Sequence, residues 1–201
     1  MLVAAGLAPE ATRLSGRALQ PLLSVSRGAP PPWREYVFGL TTGSFPGNCF
    51  VQHSIRDARF KLISSPQPNT PNPIAESYLN PDHPFPVVSG ATREEQAAAP
   101  PVVREALARW SSPPRYELYD LSRDPGEWHD LAGDPRYGQE KARLIAALQA
   151  WQAQTRDPFL DQTNVDSFVD EQLANRDLGY RKKDDFRWSY LETFVRWRER
   201  H

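Results

Sequence analysis

The side chains that could act as a nucleophile, a general base or a metal ligand are few and widely separated along the chain. They are the single cysteine and the four histidines: Cys49, His53, His83, His129 and His201. One cysteine excludes an internal disulfide and a zinc site built from cysteines. Cys49 has no acid or base partner at a spacing typical of nucleophilic catalysis, so we expect a small thiol in the core or in a loop.

None of the histidines stands in a pattern that predicts a metal site. His53 falls in a predicted strand, where a hydrogen-bonded place in the core or on the sheet is favoured over a place in a pocket. His83 and His129 each have an aspartate beside them, but neighbouring side chains tend to point apart, whereas metal ligands must converge. His201 is the last residue of the sequence, and we expect it to be frayed. The chain is therefore predicted to hold no catalytic residue and no metal ligand.

The charges of the chain exclude a general attraction to nucleic acids or to anionic membranes. Lys and Arg number 24 against 25 Asp and Glu, which gives a net charge of −1. A basic cluster at 181–183 is followed at once by Asp184 and Asp185, which is typical of a solvated helix start rather than of a sulfate-binding patch. No run approaches the roughly 18 apolar residues that cross a bilayer, so no membrane span is predicted. Residues 1–6 are too short and lack the basic leader of a signal peptide.

Four short strands are expected to position these side chains. Aromatic and β-branched residues predict strands at 36–38, 50–57, 60–63 and 115–121. A tight turn at 56–59 should join the second and third strands as an antiparallel hairpin. Turn-forming residues fill positions 41–48 and predict a loop after the first strand.

Helices are predicted after the third and the fourth strands. A long insertion, residues 64–114, begins with a stretch at 64–86 that is rich in proline and is predicted as a loop with a functional or interface role. Within the insertion, the spacing of Thr92 and Glu95 predicts a capping box, and Pro100-Pro101 predicts a helix start. The strongest helical periodicity runs from 135 to 154. Two further helices are predicted at 165–175 and 184–200, and the second carries an aromatic stripe that is typical of packing rather than of ligand binding.

One stretch carries a recognisable resemblance. Glu-Leu-Tyr-Asp-Leu at 117–121, Asp-Pro-Gly-Glu at 124–127 and Asp-Leu-Ala at 130–132 follow one another in order. Together with the 56–63 hairpin and the 135–154 helix, they resemble the C-terminal subdomain of the type I sulfatases, in the alkaline-phosphatase-like superfamily. The heparan N-sulfatase branch, the N-sulfoglucosamine sulfohydrolase-like proteins, is the most similar.

The resemblance implies an α+β fold. It predicts a small four-stranded antiparallel sheet covered by a C-terminal helix, with the long Pro-rich insertion and a helical tail. Residues 1–28 then resemble the end of a sulfatase catalytic domain, residues 29–160 the C-terminal subdomain, and residues 161–201 the tail. Members of the family are usually exported, periplasmic or lysosomal.

The resemblance also implies that catalysis belongs to another part of the protein. Sulfatases use calcium and a formylglycine made within Cys-x-Pro-x-Arg or its serine equivalent, and Cys49 has no proline two residues on and no arginine four on. We therefore expect no cofactor in this chain, an N-terminal sulfatase domain as its partner, and a sulfated saccharide as a ligand of the intact enzyme. The alternative is a standalone module that binds a sulfated glycan or a protein.

The loop after the first strand approaches the active site in enzymes of this family. On that resemblance, Thr41, Thr42 and Asn48 are predicted to line a substrate pocket, and the alternative is an ordinary loop. The branch that resembles this chain carries histidines near these positions, whereas this chain has Thr41, Thr42 and Gly43. Arg56 is predicted either to form an ion pair at a domain junction or to lie on the surface.

Overall fold

Four strands form one antiparallel sheet, and their spatial order follows the chain. A computed structural model describes residues 33–43, 45–80, 82, 91–177 and 184–200. The strands are β1 (Val37–Thr41), β2 (Gln52–Arg56), β3 (Phe60–Ser64) and β4 (Tyr116–Asp120). The predicted α+β class and the four-stranded antiparallel sheet are confirmed. One correction concerns Thr41, which was predicted in a loop but pairs with Gln52 as the last residue of β1.

The described residues contain six α-helices. They are α1 (Pro73–Leu79), α2 (Arg93–Ala98), α3 (Pro101–Ser111), α4 (Gly138–Thr155), α5 (Gln162–Ala174) and α6 (Ser189–Arg200). Helix α1 corrects the prediction that residues 64–86 form only a loop. Asn72 caps this helix by accepting a hydrogen bond from the backbone N–H of Ile74, and Pro73 takes the first helical position, where its missing N–H costs nothing.

Helix α4 covers one face of the sheet. Phe38, Ile55, Leu62 and Leu118 lie opposite one another on successive strands and so share a face. Ile55, Leu62 and Leu118 are fully buried in one core with Leu144 and Leu148 of the helix, which are also buried. Burying such a side chain contributes roughly 1.5–3 kcal/mol, so this row and the helix stabilise each other. The predicted helical cover is confirmed, with a 3-10 turn at Pro135–Tyr137 before the α-helix begins.

The insertion is fastened to the opposite face of the sheet by Arg109 of α3. Its Nε lies 3.2 Å from Oε2 of Glu117 and 3.2 Å from the hydroxyl of Tyr119. Its Nη2 donates a 3.0 Å hydrogen bond to the carbonyl of Trp128. The Tyr119 hydroxyl in turn donates to Glu117. Since Glu117 and Tyr119 alternate in register with the inward Leu118, this cluster lies on the face away from α4.

The two tail helices pack around a second apolar cluster. Cys49 and Val51, which precede β2, lie against Val165, Phe168 and Val169 of α5. Tyr190 and Phe194 of α6 pack against the same cluster, and Trp197 is buried. The predicted packing role of the aromatic stripe is confirmed for these three residues.

Residues 36–201 form one compact unit, and residues 1–35 form another. The segment predicted as the end of a catalytic domain, 1–28, lies outside the described residues, and the predicted boundaries at 28 and 160 stay predictions. Among the helices that the structure describes, none combines the length and the apolar character needed to cross a membrane.

Candidate functional site

The loop between β1 and β2 is held in a fixed shape by Gly43. This glycine has a φ of 83°, and a Cβ built on it would lie 2.1 Å from the backbone oxygen of Asn48. The loop closes through a 3.3 Å hydrogen bond from the N–H of Phe50 to the carbonyl of Thr42. The side chain of Asn48 accepts a 3.0 Å hydrogen bond from the N–H of Phe45. Only glycine fits at position 43, because both the left-handed backbone and the contact with Asn48 exclude a side chain.

We expect Gly43→Ala to destabilise the protein and to open this loop. The strain of a left-handed alanine costs roughly 1–3 kcal/mol, and the contact with the Asn48 backbone adds to it. Urea denaturation measures the loss of unfolding free energy. Gly133→Ala is the matched control, since a Cβ there meets nothing within 4 Å. Equal stability of the two variants would contradict this account of the loop.

A cleft of about 230 Å³ lies between this loop and the tail. Thr42, Gly43 and Phe45 line it from the loop, and Gln172, Trp188 and Tyr190 line it from the tail. The lining residues carry no formal charge. Tyr190 meets Phe168 edge to face, with ring centroids 4.8 Å apart, and Trp188 lies 5.7 Å from Tyr190. The cleft therefore offers fixed aromatic surfaces together with a hydroxyl and an amide, as small-molecule sites do.

The three residues predicted to bind substrate lie in different surroundings. Thr42 lines the cleft. Thr41 is exposed at the end of β1, and the amide oxygen of Asn48 is engaged within its own loop by the N–H of Phe45. A substrate contact for any of them stays a prediction. Arg56, also predicted from the sequence, is exposed at the end of β2.

A buried polar network that the sequence did not reveal lies close to the core. Nε2 of His53 is 2.7 Å from Oδ2 of Asp157, and the two side chains are only 3% and 7% exposed. The amide of Gln152 donates to the same carboxylate oxygen over 3.2 Å, and the N–H of Phe159 donates to the other over 3.0 Å. Burial alone would raise the pKa of Asp157, but the hydrogen bond and charge of His53, together with the hydrogen bonds from Phe159 and Gln152, outweigh it and hold that pKa below its usual value.

This network joins β2 to the turn between α4 and α5. The carboxylate of Asp157 also caps the 3-10 turn at Pro158–Leu160, from which α5 continues. A cavity of about 50 Å³ borders the network, lined in part by His53, Ser64 and Arg115, which is room for ordered water rather than for a substrate. The expectation that His53 is a hydrogen-bonded core residue agrees with this geometry.

The remaining candidate residues do not form a reaction centre. Cys49 is buried, and burial raises the pKa of its thiol to about 12, so it is a poor nucleophile. Nδ1 of the exposed His129 lies 3.5 Å from Asp124. Among the described residues, no three His, Cys, Asp or Glu side chains form a group that could hold a metal ion. His83, His201 and residues 181–183 lie outside the described part of the chain. Within the described part of the chain, no set of side chains fits formylglycine or calcium.

The acidic residues of the recognised motif serve the scaffold. Asp120 accepts hydrogen bonds of 3.1 and 2.7 Å from the guanidinium of Arg59, and this partner holds the pKa of Asp120 far below its usual value. Glu127 pairs with Lys61 of β3 at 2.6 Å. Asp130 accepts from the N–H groups of Leu118 and Ala132, each at 2.9 Å. Each carboxylate is engaged in shaping the turn after β4, which is why the motif marks a fold rather than an active site.

Comparison with known proteins agrees with this interpretation. No protein-family model matches the chain. It is 30% identical over 161 residues to the N-sulphoglucosamine sulphohydrolase of Homo sapiens, a match that covers 80% of this chain and 30% of that protein. It is 29% identical over 157 residues to the ulvan-active sulfatase of Formosa agariphila, covering 75% of this chain and 26% of that one.

The fold is also found in a solved structure. A 2-O GAG sulfatase matches with a TM-score of 0.50 at 19% identity, over 79% of this chain and 24% of its own. At that identity the match shows the shared fold alone. The chain spans less than a third of the length of each of these relatives. Since the match to the first of these relatives reaches 30% identity over 80% of the chain, the chain belongs to the sulfatase family and corresponds to a C-terminal part of its members.

Proposed function

We propose that this chain is the C-terminal subdomain of a sulfuric ester or sulfamate hydrolase, and that the groups which cleave the sulfate bond lie on polypeptide outside it. The observation that carries the proposal is the proportion of the match: four fifths of this chain align with less than a third of a sulfatase. The buried thiol of Cys49, outside the modification motif, supports it. On this proposal the formylglycine and the calcium ion of the intact enzyme are held by its N-terminal domain.

The role of the subdomain is to form part of the wall of the substrate pocket. The loop at 42–50 is rigid, since Gly43 and the bond from Phe50 fix its shape. A rigid loop beside a cleft can position a ligand at little entropic cost. The two sequence relatives are named for N-sulphoglucosamine and ulvan, and on that basis we propose a sulfated saccharide as the substrate of the intact enzyme.

Activity measurements on the isolated chain test the proposal. We expect residues 1–201 to hydrolyse neither a chromogenic aryl sulfate nor an N-sulfated glucosamine, with or without added calcium. Cys49→Ser is the matched control, because it removes the only cysteine at a position that the proposal treats as structural. Turnover by the wild-type chain that this variant loses would overturn the proposal, since the catalytic group would then lie in this chain.

The coding sequence upstream of Met1 gives an independent test. An in-frame Cys or Ser followed by x-Pro-x-Arg or x-Ala-x-Arg would support the proposal, and unrelated sequence there would favour the standalone module. Retention of the chain on a heparin column, lost on adding salt, would also favour that module, because a sulfated glycan is bound mainly through its charges. The balanced net charge of −1 argues against strong retention.

A further inference from the structure

We propose that the cleft between the 42–46 loop and the tail binds one uncharged sugar ring, which lies beside the sulfated ring of the substrate. The inference rests on the proposed function, since it assigns a subsite for the saccharide of the intact enzyme. It adds Gln172, Trp188 and Tyr190 of the tail to the binding surface.

The first observation is a buried amide without a recorded partner. Gln172 is 8% exposed and lines the cleft, yet its side chain has no hydrogen bond among the described residues. Its neighbours along the helix face, Val165, Phe168 and Val169, are apolar and buried. A polar group buried in this way is costly unless something supplies its hydrogen bonds. A ligand hydroxyl in the cleft would do so.

The second observation is the set of groups that face Gln172 across the cleft. Thr42 adds a hydroxyl, whose oxygen has no hydrogen-bond partner recorded in the described part of the chain. The rings of Trp188 and Tyr190 form the apolar wall. A sugar ring has one face of C–H groups and a rim of hydroxyls, so it can stack on an aromatic ring while its hydroxyls bond an amide and a threonine. A volume of about 230 Å³ has room for one such ring.

The third observation is the charge of the cleft. The residues that line it are neutral, and the nearest acid on the same helix, Glu171, is engaged by the backbone N–H groups of Ser189 and Tyr190 at 2.7 Å each. Among the described lining residues, a sulfate group would meet no cation. The cleft is therefore suited to an uncharged ring, and the sulfated ring must bind elsewhere.

Nuclear magnetic resonance titration of the chain of residues 1–201 tests the inference. The probes are N,N′-diacetylchitobiose as a neutral disaccharide and a heparin-derived disaccharide as a sulfated one. We expect the neutral sugar to shift the indole signal of Trp188 and the side-chain amide signal of Gln172, with an affinity that salt does not change. Trp188→Ala should weaken this binding roughly fivefold to tenfold, because a stacked ring is lost. Trp128→Ala is the matched control, since Trp128 is 42% exposed and is not among the cleft residues.

Gln172→Leu separates binding from folding. It should lower the affinity for the neutral sugar at least fivefold. The melting temperature should stay equal or rise, because a buried amide without a partner is removed. Absence of shifts at the highest sugar concentration, or binding that Trp188→Ala leaves unchanged, would overturn the inference. Preference for the sulfated probe with strong salt dependence would overturn it too. These outcomes leave the proposed function untouched, because that proposal is judged by turnover and by the upstream sequence.

Discussion

Replacing Asp157 with alanine is expected to lower the free energy of unfolding by roughly 2–4 kcal/mol, measured by urea denaturation at neutral pH. Two losses add up. Nε2 of the 3% exposed His53 loses the carboxylate at 2.7 Å and keeps only the 3.3 Å contact with the amide nitrogen of Gln152. The 3-10 turn that leads into α5 loses its cap, since Asp157 accepts from the N–H of Phe159. Asp157→Asn should cost less, because its one oxygen can still accept from the N–H of Phe159 while its amide nitrogen can donate to Nε2 of a neutral His53.

The same network should make stability depend on acidity. The folded pKa of Asp157 lies below its usual value: burial opposes this shift, and the hydrogen bonds from His53, Phe159 and Gln152 together with the charge of His53 outweigh burial. A carboxyl group of this kind stabilises the folded protein at neutral pH, and its contribution is lost as the pH falls below the ordinary carboxyl range of about 4 toward the folded pKa. The wild type should therefore lose more unfolding free energy than Asp157→Asn between neutral and acidic pH.

Asp166→Ala provides the control for both measurements. Asp166 lies on the exposed side of α5 and is bonded only within that helix, to Gln162, so its loss should leave stability within about 0.5 kcal/mol of the wild type. If Asp157→Ala were as stable as Asp166→Ala, the network of His53 and Asp157 would contribute nothing measurable to the unfolding free energy. Identical acid profiles of the wild type and Asp157→Asn would contradict the pKa argument separately.

The sheet and its covering helix could be predicted from the sequence, because the formation of each depends on residues close to one another along the chain. Alternation in β2 and β3 sets which side chains are buried, and the short turn at 57–59 pairs the two strands without further information. The start of α1 was missed for a local reason as well. Proline was interpreted as a loop former, although Asn72 followed by Pro73 is also the signature of a helix start.

The candidate site could be predicted only by half. Thr42 was predicted on the resemblance of its loop to a sulfatase loop and lines the cleft, while its contact with a substrate stays a prediction. Gln172, Trp188 and Tyr190 reach the same cleft from the tail, and nothing local connects residues so distant in sequence. One signal was available: the spacing of Val165, Phe168 and Val169 places Gln172 on the same helix face. An amide on an otherwise apolar face needs a partner, and it is therefore a candidate for ligand binding.

The network of His53 and Asp157 was missed for a similar reason. His53 was predicted at a hydrogen-bonded place in the core or on the sheet, but its partner lies 104 residues further along the chain. Asp157 stands in Arg-Asp-Pro, just after the predicted 135–154 helix, where nothing local connects it to β2. The sequence shows that a buried histidine needs a partner, and only the tertiary fold shows which residue supplies it.

Replacing Arg109 with methionine should lower the free energy of unfolding by about 3–5 kcal/mol, because the change leaves Glu117 buried and without its cation. Glu117 is 6% exposed, and burial is the main reason that its pKa is raised even with Arg109 and Tyr119 in place. Helix α3 would also lose the hydrogen bond from Arg109 to the carbonyl of Trp128. Urea denaturation of the variant and the wild type measures the loss.

The double variant Arg109→Met with Glu117→Gln distinguishes charge from packing. A neutral amide can still accept from the Tyr119 hydroxyl, so we expect this variant to recover much of the lost stability. Arg104→Met is the control from the same helix, because Arg104 is exposed and donates to a helix-end carbonyl, that of Ala99; its stability should stay close to the wild type.

The pH dependence of Arg109→Met should have the opposite sign to that of the Asp157 network. A carboxyl group whose folded pKa is raised destabilises the protein as the pH rises through that pKa, since ionisation then occurs against burial. The methionine variant removes a cation that favours the ionised form of Glu117. Its loss of unfolding free energy relative to the wild type should therefore be small in acid and should grow toward neutral pH. A loss of unfolding free energy that is the same at both pH values would refute the buried-charge account of how the insertion is held on the sheet. The role of Arg109 would then be the packing of its side chain on Tyr119, whose ring centroid lies 5.8 Å from the guanidinium.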